Sequence, residues 1–253
     1  MALLLRHLIT GACLAASLSG APATPEPTFK ALLIAQTDES LGDLFYDNRG
    51  RKIPFLAGTG RLSHPYPIPS GGLVSLYREL PPATPDTPPV KLPVADIRLD
   101  PADAPWLVLM NTNYAPGGTL PQIRTQILSN SLEAHPERTI RILNFSRSPI
   151  RISVGGDENA GTPPVELASG AQQLEPYPAD LQTRRIWFRA AFMKNGTWSL
   201  EIKAPQGVIQ KNTRAMWVIT DSRLTPERPE PSLDLRKLTE ALPPPAPAPL
   251  ASR

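Results

Sequence analysis

The chain has 253 residues, with 26 basic and 23 acidic side chains and a formal net charge of +3. This near balance argues against a nucleic-acid-binding protein, which would carry a strong basic excess clustered on one element. The 32 prolines are more than twice the usual proline content of about 5%. Because proline removes a backbone donor and blocks helix interiors, long helices are excluded from most of the chain.

Residues 1–23 have the pattern of an export signal. Arg6 and His7 form a basic start, an apolar stretch follows over residues 8–18, and Ala21-Pro22-Ala23 supplies a small-residue cleavage site. The apolar stretch is too short to span a bilayer, which takes about 20 apolar residues. We therefore expect cleavage after Ala23 and a periplasmic or secreted mature protein without a transmembrane segment.

Cys13, the only cysteine, lies inside this signal. Lipidation at Cys13 is disfavoured, since Thr10 occupies the place where a lipoprotein signal has leucine. After cleavage the mature chain has no disulfide, no thiolate nucleophile and no cysteine-bound metal. Its stability must come from a packed core.

The N-terminal β region, residues 24–111, begins with a predicted buried strand at residues 29–36. Residues 43–56 predict a hairpin, because Asp47-Asn48-Arg49-Gly50 supplies the left-handed backbone that a tight turn needs. The proline-rich residues 81–90 predict a surface connector. Further strands are predicted at residues 73–79, 94–99 and 106–110.

Residues 122–131 are ambiguous. Ile123, Ile127 and Leu128 fit a helical stripe, whereas Ile123, Thr125 and Ile127 alternate with polar residues as in a strand. We favour a strand because the neighbouring elements are strands.

The C-terminal β region, residues 112–222, has the clearest alternation. Residues 139–145 and 150–154 predict an antiparallel hairpin, with Ile140 and Ile142 facing the core. Residues 185–192 and 197–203 predict a second hairpin.

Asn195-Gly196 joins the arms of this second hairpin and is the strongest short hairpin signal in the chain. Residues 216–220 predict the last strand. Beyond it, residues 223–253 form a proline-rich tail that we expect to be disordered. Within the tail, Ser232 could cap a short helix with Leu235, Leu238 and Leu242 on one side.

These elements predict an all-β protein, an antiparallel β-sandwich of immunoglobulin-like type. Either one continuous sandwich or two duplicated modules fits the pattern. The short similarity between residues 68–72 and 167–171 is compatible with duplication, with residues 106–110 and 216–220 each closing a half, but similarities of five residues are common by chance. The immunoglobulin-like analogy concerns the fold and carries no function.

The mature chain offers little catalytic chemistry. Its histidines, His64 and His135, lack zinc-binding spacing, and no nucleophile elbow, phosphate loop or dinucleotide motif occurs. We therefore predict a non-enzyme with no catalytic residue, no cofactor and no metal. Calcium held by loop acids such as Asp100 and Asp103 is an alternative. So is a glycan-acting hydrolase whose two carboxylates come from distant strands.

One constellation suggests ligand binding. If the two C-terminal hairpins share a sheet, one polar face carries four arginines and an indole. Guanidinium forks bind carboxylate and phosphate, and an indole can stack on a sugar ring. A solvated sheet face is the competing interpretation. The predicted ligand-binding residues are Arg141, Arg151, Arg185, Trp187 and Arg189.

The sequence therefore predicts an exported, non-catalytic binding or assembly module of the bacterial cell envelope. Its expected partner is an anionic polysaccharide or another envelope protein, and not nucleic acid. A structural envelope component without a small ligand is the alternative.

Overall fold

The computed structural model describes residues 26–34, 40–82, 84, 87–114, 121–157, 162–178, 185–206, 212–222, 226 and 230–242. Over these residues the protein is all-β, with sixteen strands in four four-stranded sheets and one 3₁₀ turn at Pro101–Asp103. The strands are β1 (Thr28–Ile34), β2 (Ser40–Asn48), β3 (Arg51–Gly58), β4 (Tyr66–Pro67), β5 (Leu73–Leu80), β6 (Val90–Arg98), β7 (Trp106–Tyr114), β8 (Pro121–Ser129), β9 (Thr139–Asn144), β10 (Ile150–Gly155), β11 (Val165–Leu167), β12 (Gln172–Pro176), β13 (Ile186–Lys194), β14 (Thr197–Gln206), β15 (Thr213–Asp221) and β16 (Leu233–Ala241).

The strand order repeats. Sheet A has the order β4-β1-β7-β8 and sheet B the order β3-β2-β5-β6. Sheet C, β12-β9-β15-β16, and sheet D, β11-β10-β13-β14, have these same orders with every strand number raised by eight. The central pairs β1–β7 and β9–β15 are both parallel, and the other pairs are antiparallel. The chain therefore folds as two topologically equivalent halves.

The sheets assign β7 and β8 to the same half. β8 pairs with β7 over their whole lengths, from Trp106↔Ser129 to Tyr114↔Pro121. The sequence-based division between residues 111 and 112 lies inside β7, whereas the four sheets divide in the segment between β8 and β9.

Three apolar clusters stack the sheets in the order B-A-C-D. Phe29, Tyr46 and Phe55 belong to the cluster between sheets A and B, and Phe188 and Trp217 belong to the one between sheets C and D. The third cluster joins sheet A to sheet C, so the two halves share buried surface. Its buried members are Leu32, Ile34, Leu107, Leu109, Leu128, Leu143, Met216, Val218 and Leu238.

Several sequence predictions are confirmed. β2 and β3 form the first hairpin, with Arg49 (φ 50°) and Gly50 (φ 72°) at its turn. β13 and β14 form the hairpin at Asn195 (φ 52°) and Gly196 (φ 76°), as a two-residue turn with left-handed backbone requires. The ambiguous segment is the strand β8.

The predicted hairpin of residues 139–154 is wrong. β9 lies in sheet C and β10 in sheet D, so the chain crosses between the sheets of one sandwich. The buried Asn144 amide holds this crossing: Nδ2 donates to the carbonyls of Ser148 and Leu167, and Oδ1 accepts from the Ser146 amide. Because β9 is buried on both faces, its alternation did not reveal which strands it pairs with.

The predicted short helix after Ser232 is also wrong, and so is the predicted disorder over this part of the tail. Residues 233–241 form β16, and each of them pairs with β15. The ladder with β15 overrides a weak helical preference. The leucines divide between two faces, since Leu235 packs on the cluster between sheets C and D and Leu238 on the one between sheets A and C.

The predicted export signal and the end of the tail, residues 243–253, lie outside the described residues. Among the residues that are described, no helix is long and apolar enough to cross a membrane.

Candidate binding face on sheet D

The outer face of sheet D is built mainly by β10, β13 and β14. On β13, Ile186, Phe188 and Ala190 are buried in the core. Because successive side chains of a strand alternate between faces, Trp187 and Arg189 point away from that core. Both are half-buried, and Arg185, directly before β13, is exposed. These three predicted residues therefore follow one another along the chain at every second position.

The neighbours of Trp187 are small. Trp187 lies opposite Gly155 on β10 and opposite Pro205 on β14. Neither neighbour carries a long side chain that would cover the indole. Trp187 itself is half-buried, so part of its indole is accessible on this face.

The neighbours of Arg189 are polar. Arg189 lies opposite Ser153 on one side and opposite Lys203 on the other, so two cations occupy adjacent strands. Within the described chain, neither Arg185 nor Arg189 forms an ion pair. The two cations directly before and after Trp187 on this face therefore have no described carboxylate bound to them.

Arg151 belongs to the same face but already has partners. Its guanidinium lies 4.2 Å from the centre of the Trp198 ring and 3.5 Å from a carboxylate oxygen of Glu166. Arg151 thus provides a positive charge next to Arg189, while its own stacking surface is occupied.

Trp198 is a further member of this face. Strict alternation along β14 would place it on the same side as Ile202. In the structure the pairing shifts between Ala190 and Ala191, so that Leu200 and Ile202 pair with these adjacent residues and fall on opposite faces. A β-bulge of this kind inserts a residue and changes which side chains share a face. Leu200 and Met193, beside Trp198, are exposed.

The predicted placement of Arg141 on this face is wrong. Arg141 is in β9 of sheet C and is only 2% exposed. It is opposite Met216, a member of the cluster between sheets A and C, so it faces the junction of the two halves. The sequence correctly put Arg141 on the side away from Ile140 and Ile142, but this side is covered by the other half of the molecule.

Arg141 belongs to a buried polar cluster at that junction. Its Nη2 donates to the carbonyls of Ser129 (3.0 Å) and Ala134 (2.9 Å). Arg214 of β15 donates to the carbonyls of Asn130 (3.0 Å) and His135 (2.8 Å). Two guanidiniums of sheet C thus bind the connection between β8 and β9.

Glu240 of β16 supplies the negative charge of this cluster. Its carboxylate pairs with Arg214 Nη2 at 2.7 Å and with Lys30 of sheet A. Burial raises the pKa of Glu240, but the Lys30 hydrogen bond and the Arg214 charge outweigh burial and hold the pKa below its ordinary value.

His135 is neutral in this cluster. Burial and the positive charges of Arg141 and Arg214 lower the pKa of His135 to about 3. Its Nε2 therefore donates to the Ala215 carbonyl, 3.1 Å away. A cavity of about 10 Å³ lies beside His135, Arg214 and Glu240, with room for about one water molecule.

The other polar residues singled out by the sequence do not come together. His64 is exposed and contacts the Tyr66 ring, whereas His135 is buried at the junction. Asp100 accepts a hydrogen bond from the Ala102 amide and so stabilises its own turn. Over the described part of the chain, no group of three histidine or acidic side chains is arranged to hold a metal ion.

No protein-family model matches this chain, and a search of curated proteins finds no match.

Proposed function

We propose that this protein is an exported, non-catalytic binding module of the bacterial cell envelope that contacts anionic glycan through the outer face of sheet D. The observation that supports the proposal most strongly is the arrangement along β13. The indole of Trp187 is flanked by Arg185 and Arg189, and no described carboxylate pairs with either arginine.

The chemistry of the face matches an acidic sugar. An indole face stacks on the apolar face of a sugar ring, and a guanidinium fork donates two parallel hydrogen bonds to a carboxylate or sulfate. At about 3.3 Å per residue, the distance along the chain from Arg185 to Arg189 is about 13 Å, long enough to follow more than one sugar unit. Lys203 on β14 and Arg151 on β10, the latter already paired with Glu166, place further basic side chains on the two strands next to Arg189.

Export and fold type are parts of the same proposal. The export signal in residues 1–23 supports placement in the envelope. We also propose that each half is an immunoglobulin-like sandwich, because two antiparallel-rich sheets pack over one apolar cluster in each half.

Binding to three immobilised polysaccharides tests the proposal: polygalacturonate, dextran sulfate and neutral dextran. We expect the mature protein to bind the two anionic polymers and not dextran. The double variant R185A/R189A should lose at least about 90% of this binding, since charge-assisted hydrogen bonds of the guanidiniums are each worth about 1.5–3 kcal/mol. Its melting temperature should stay within about 2 °C of the parent, because surface substitutions cost little.

A matched control removes two positive charges elsewhere. Arg49 and Arg51 are exposed at the β2–β3 turn of the other half, so R49A/R51A should bind as the parent does. Equal losses in both double variants would mean that net charge alone attracts the polymer. Absence of any binding to either anionic polymer would reject the proposed function.

A further inference from the structure

The outer face of sheet D ends in an apolar area at the tip of the β13–β14 hairpin. Met193 of β13 and Leu200 of β14 are 39% and 53% exposed. Met193 lies opposite Trp198, and Leu200 is two positions after Trp198 on the same side of β14. Met193 is also on the same side of β13 as Arg189 and Arg185, because alternate residues of a strand share a face. One end of this face is therefore cationic, and the other end exposes apolar side chains.

The equivalent hairpin of the first half carries charge where β13 carries Met193. The β5–β6 and β13–β14 hairpins each have one shift of pairing, directly after Leu76 and directly after Ala190. Aligning the hairpins at these shifts makes Glu79 the equivalent of Met193. Glu79 forms an ion pair with Lys52. An exposed apolar side chain at this place is thus not a requirement of the repeated fold.

Exposed apolar side chains alone do not distinguish sheet D from sheet B. Leu56 and Leu73 on the outer face of sheet B are 49% and 38% exposed. They lie on β3 and β5, which β2 separates, and Lys52 and Lys91 of that face are paired with carboxylates. Of the two outer faces, sheet D is the one that combines neighbouring exposed apolar side chains with arginines that have no described carboxylate partner.

We propose that the outer face of sheet D docks on the surface of a lipid bilayer that displays an acidic glycolipid. This inference rests on the proposed function and adds that the acidic sugar is linked to a lipid. The acidic sugar binds Arg185 and Arg189, while Met193 and Leu200 enter the boundary between headgroups and acyl chains. Docking of this kind combines buried apolar area with the attraction of basic side chains to anionic lipids. Trp198 fits the same boundary, because an indole has an apolar body and a polar N–H group.

The spacing along β13 fits this orientation. Arg189 and Met193 are four residues apart, which corresponds to about 13 Å along a strand. A sheet inclined to the membrane therefore holds Arg189 at the level of a sugar headgroup when the tip of the hairpin reaches the acyl boundary. The apolar end and the cationic end thus contact different layers of the same surface.

Cosedimentation with vesicles tests the inference. The probes are vesicles of phosphatidylcholine alone, with phosphatidylglycerol, or with sulfoquinovosyl diacylglycerol, a glycolipid with a sulfonated sugar, the last two at equal charge density. The mature protein should bind the sulfoglycolipid vesicles at least about tenfold more tightly than the other two, because only this headgroup offers both an acid and a sugar ring. Equal binding to the phosphatidylglycerol vesicles would overturn the inference, since lipid charge without a sugar would then be sufficient.

Two double variants locate the apolar contact. M193S/L200S should bind the sulfoglycolipid vesicles at least about tenfold more weakly, relative to its binding to immobilised polygalacturonate, because the apolar area buried at the membrane is lost. The matched control L56S/L73S removes two side chains of similar exposure from sheet B, and it should bind as the parent does. An unchanged ratio in M193S/L200S would overturn the inference.

The proposed function is read separately, from the binding of the parent protein to anionic polysaccharides. A parent protein that binds polygalacturonate but not the sulfoglycolipid vesicles overturns the membrane inference alone. Absence of binding to polygalacturonate, to dextran sulfate and to the vesicles rejects both.

Discussion

The outer faces of sheets B and D occupy equivalent places in the two halves but treat their charges differently. On sheet B, Phe45 and Tyr77 contact each other with ring centres 6.1 Å apart. Lys52 lies over the Phe45 ring at 4.7 Å and pairs with Glu79, and Lys91 lies over the Tyr77 ring at 4.3 Å.

Asp47 completes the sheet B face. It pairs with Lys91 at 2.6 Å and accepts a hydrogen bond from the Tyr77 hydroxyl at 2.9 Å. These contacts, led by the Lys91 hydrogen bond, hold the pKa of Asp47 below its ordinary value. On sheet B each stacked lysine therefore has its own carboxylate, whereas on sheet D neither Arg185 nor Arg189 has one among the described residues.

The difference shows which part of a repeated fold is free to change. The inner faces of both halves are apolar, because each sandwich needs a core. The outer faces have no such requirement. The lysines on the outer face of sheet B are therefore paired with carboxylates, whereas Arg185 and Arg189 on the outer face of sheet D lie beside an indole without a described carboxylate partner. Function is therefore better sought where equivalent faces diverge than where they agree.

The largest expected effect concerns the equivalence of the two cores. F55A removes a ring from the cluster between sheets A and B, and F188A removes one from the cluster between sheets C and D. Each ring is at most 2% exposed. Each should lower the free energy of unfolding by about 3–5 kcal/mol. Because the third cluster joins sheets A and C, we expect one unfolding transition in both variants, measured by calorimetry and by tryptophan fluorescence. Separate transitions of the two halves would show that the shared cluster does not couple them.

A smaller effect concerns His135 at the junction. Its pKa is about 3 in the folded protein and about 6.5 when unfolded. Between these values the unfolded state binds the extra proton, so folding weakens as pH falls from about 6.5 towards 3, by up to about 1.4 kcal/mol per pH unit. Glu240 has a lowered pKa in the folded protein, so its contribution to the free energy of unfolding is also lost as the pH falls further.

Denaturant unfolding between pH 7 and pH 4.5 measures this slope. We expect H135Q to be less dependent on pH than the parent, and the exposed-histidine control H64Q to keep the parental slope. Parallel pH profiles for the parent and H135Q would contradict a buried neutral imidazole.

The smallest effect returns to the outer faces. K91A breaks the Lys91–Asp47 pair of sheet B and should destabilise the protein only slightly, as expected for an exposed pair. R189A on sheet D breaks no described ion pair and should change stability by less than about 0.5 kcal/mol. Raising the salt concentration should reduce the effect of K91A and leave that of R189A unchanged. If R189A lowers the free energy of unfolding more than K91A does, Arg189 stabilises the fold. The proposed difference between the outer faces of sheets B and D would then be wrong.

Much of the fold is predictable because strand alternation and turn chemistry are local. The Asn195-Gly196 turn, the turn at Gly50 and the strand β8 all follow from the sequence. The pairing of strands does not, because sheet partners lie far apart in the chain and β9 is buried on both faces. For the same reason the leucine pattern of residues 235–242 predicted a helix, whereas pairing with β15 makes residues 233–241 the strand β16.

The site was only partly predictable for related reasons. Arg151, Trp187 and Arg189 share a face because β10 and β13 are paired neighbours. Arg141 does not, since the sheet that covers it belongs to the other half of the chain. Alternation along β14 would put Trp198 on the same face as Ile202, because the bulge that separates them leaves no signature in the sequence.

The four-layer stack has a geometric consequence for anything that binds the protein. Packed sheets lie about 10 Å apart, so sheets B and D are separated by about 30 Å and their solvent faces look in opposite directions. Under the proposed function, a single sugar chain lying on sheet D would leave sheet B uncovered. A ligand bound to the outer face of sheet D would therefore leave the outer face of sheet B accessible to a second binding partner.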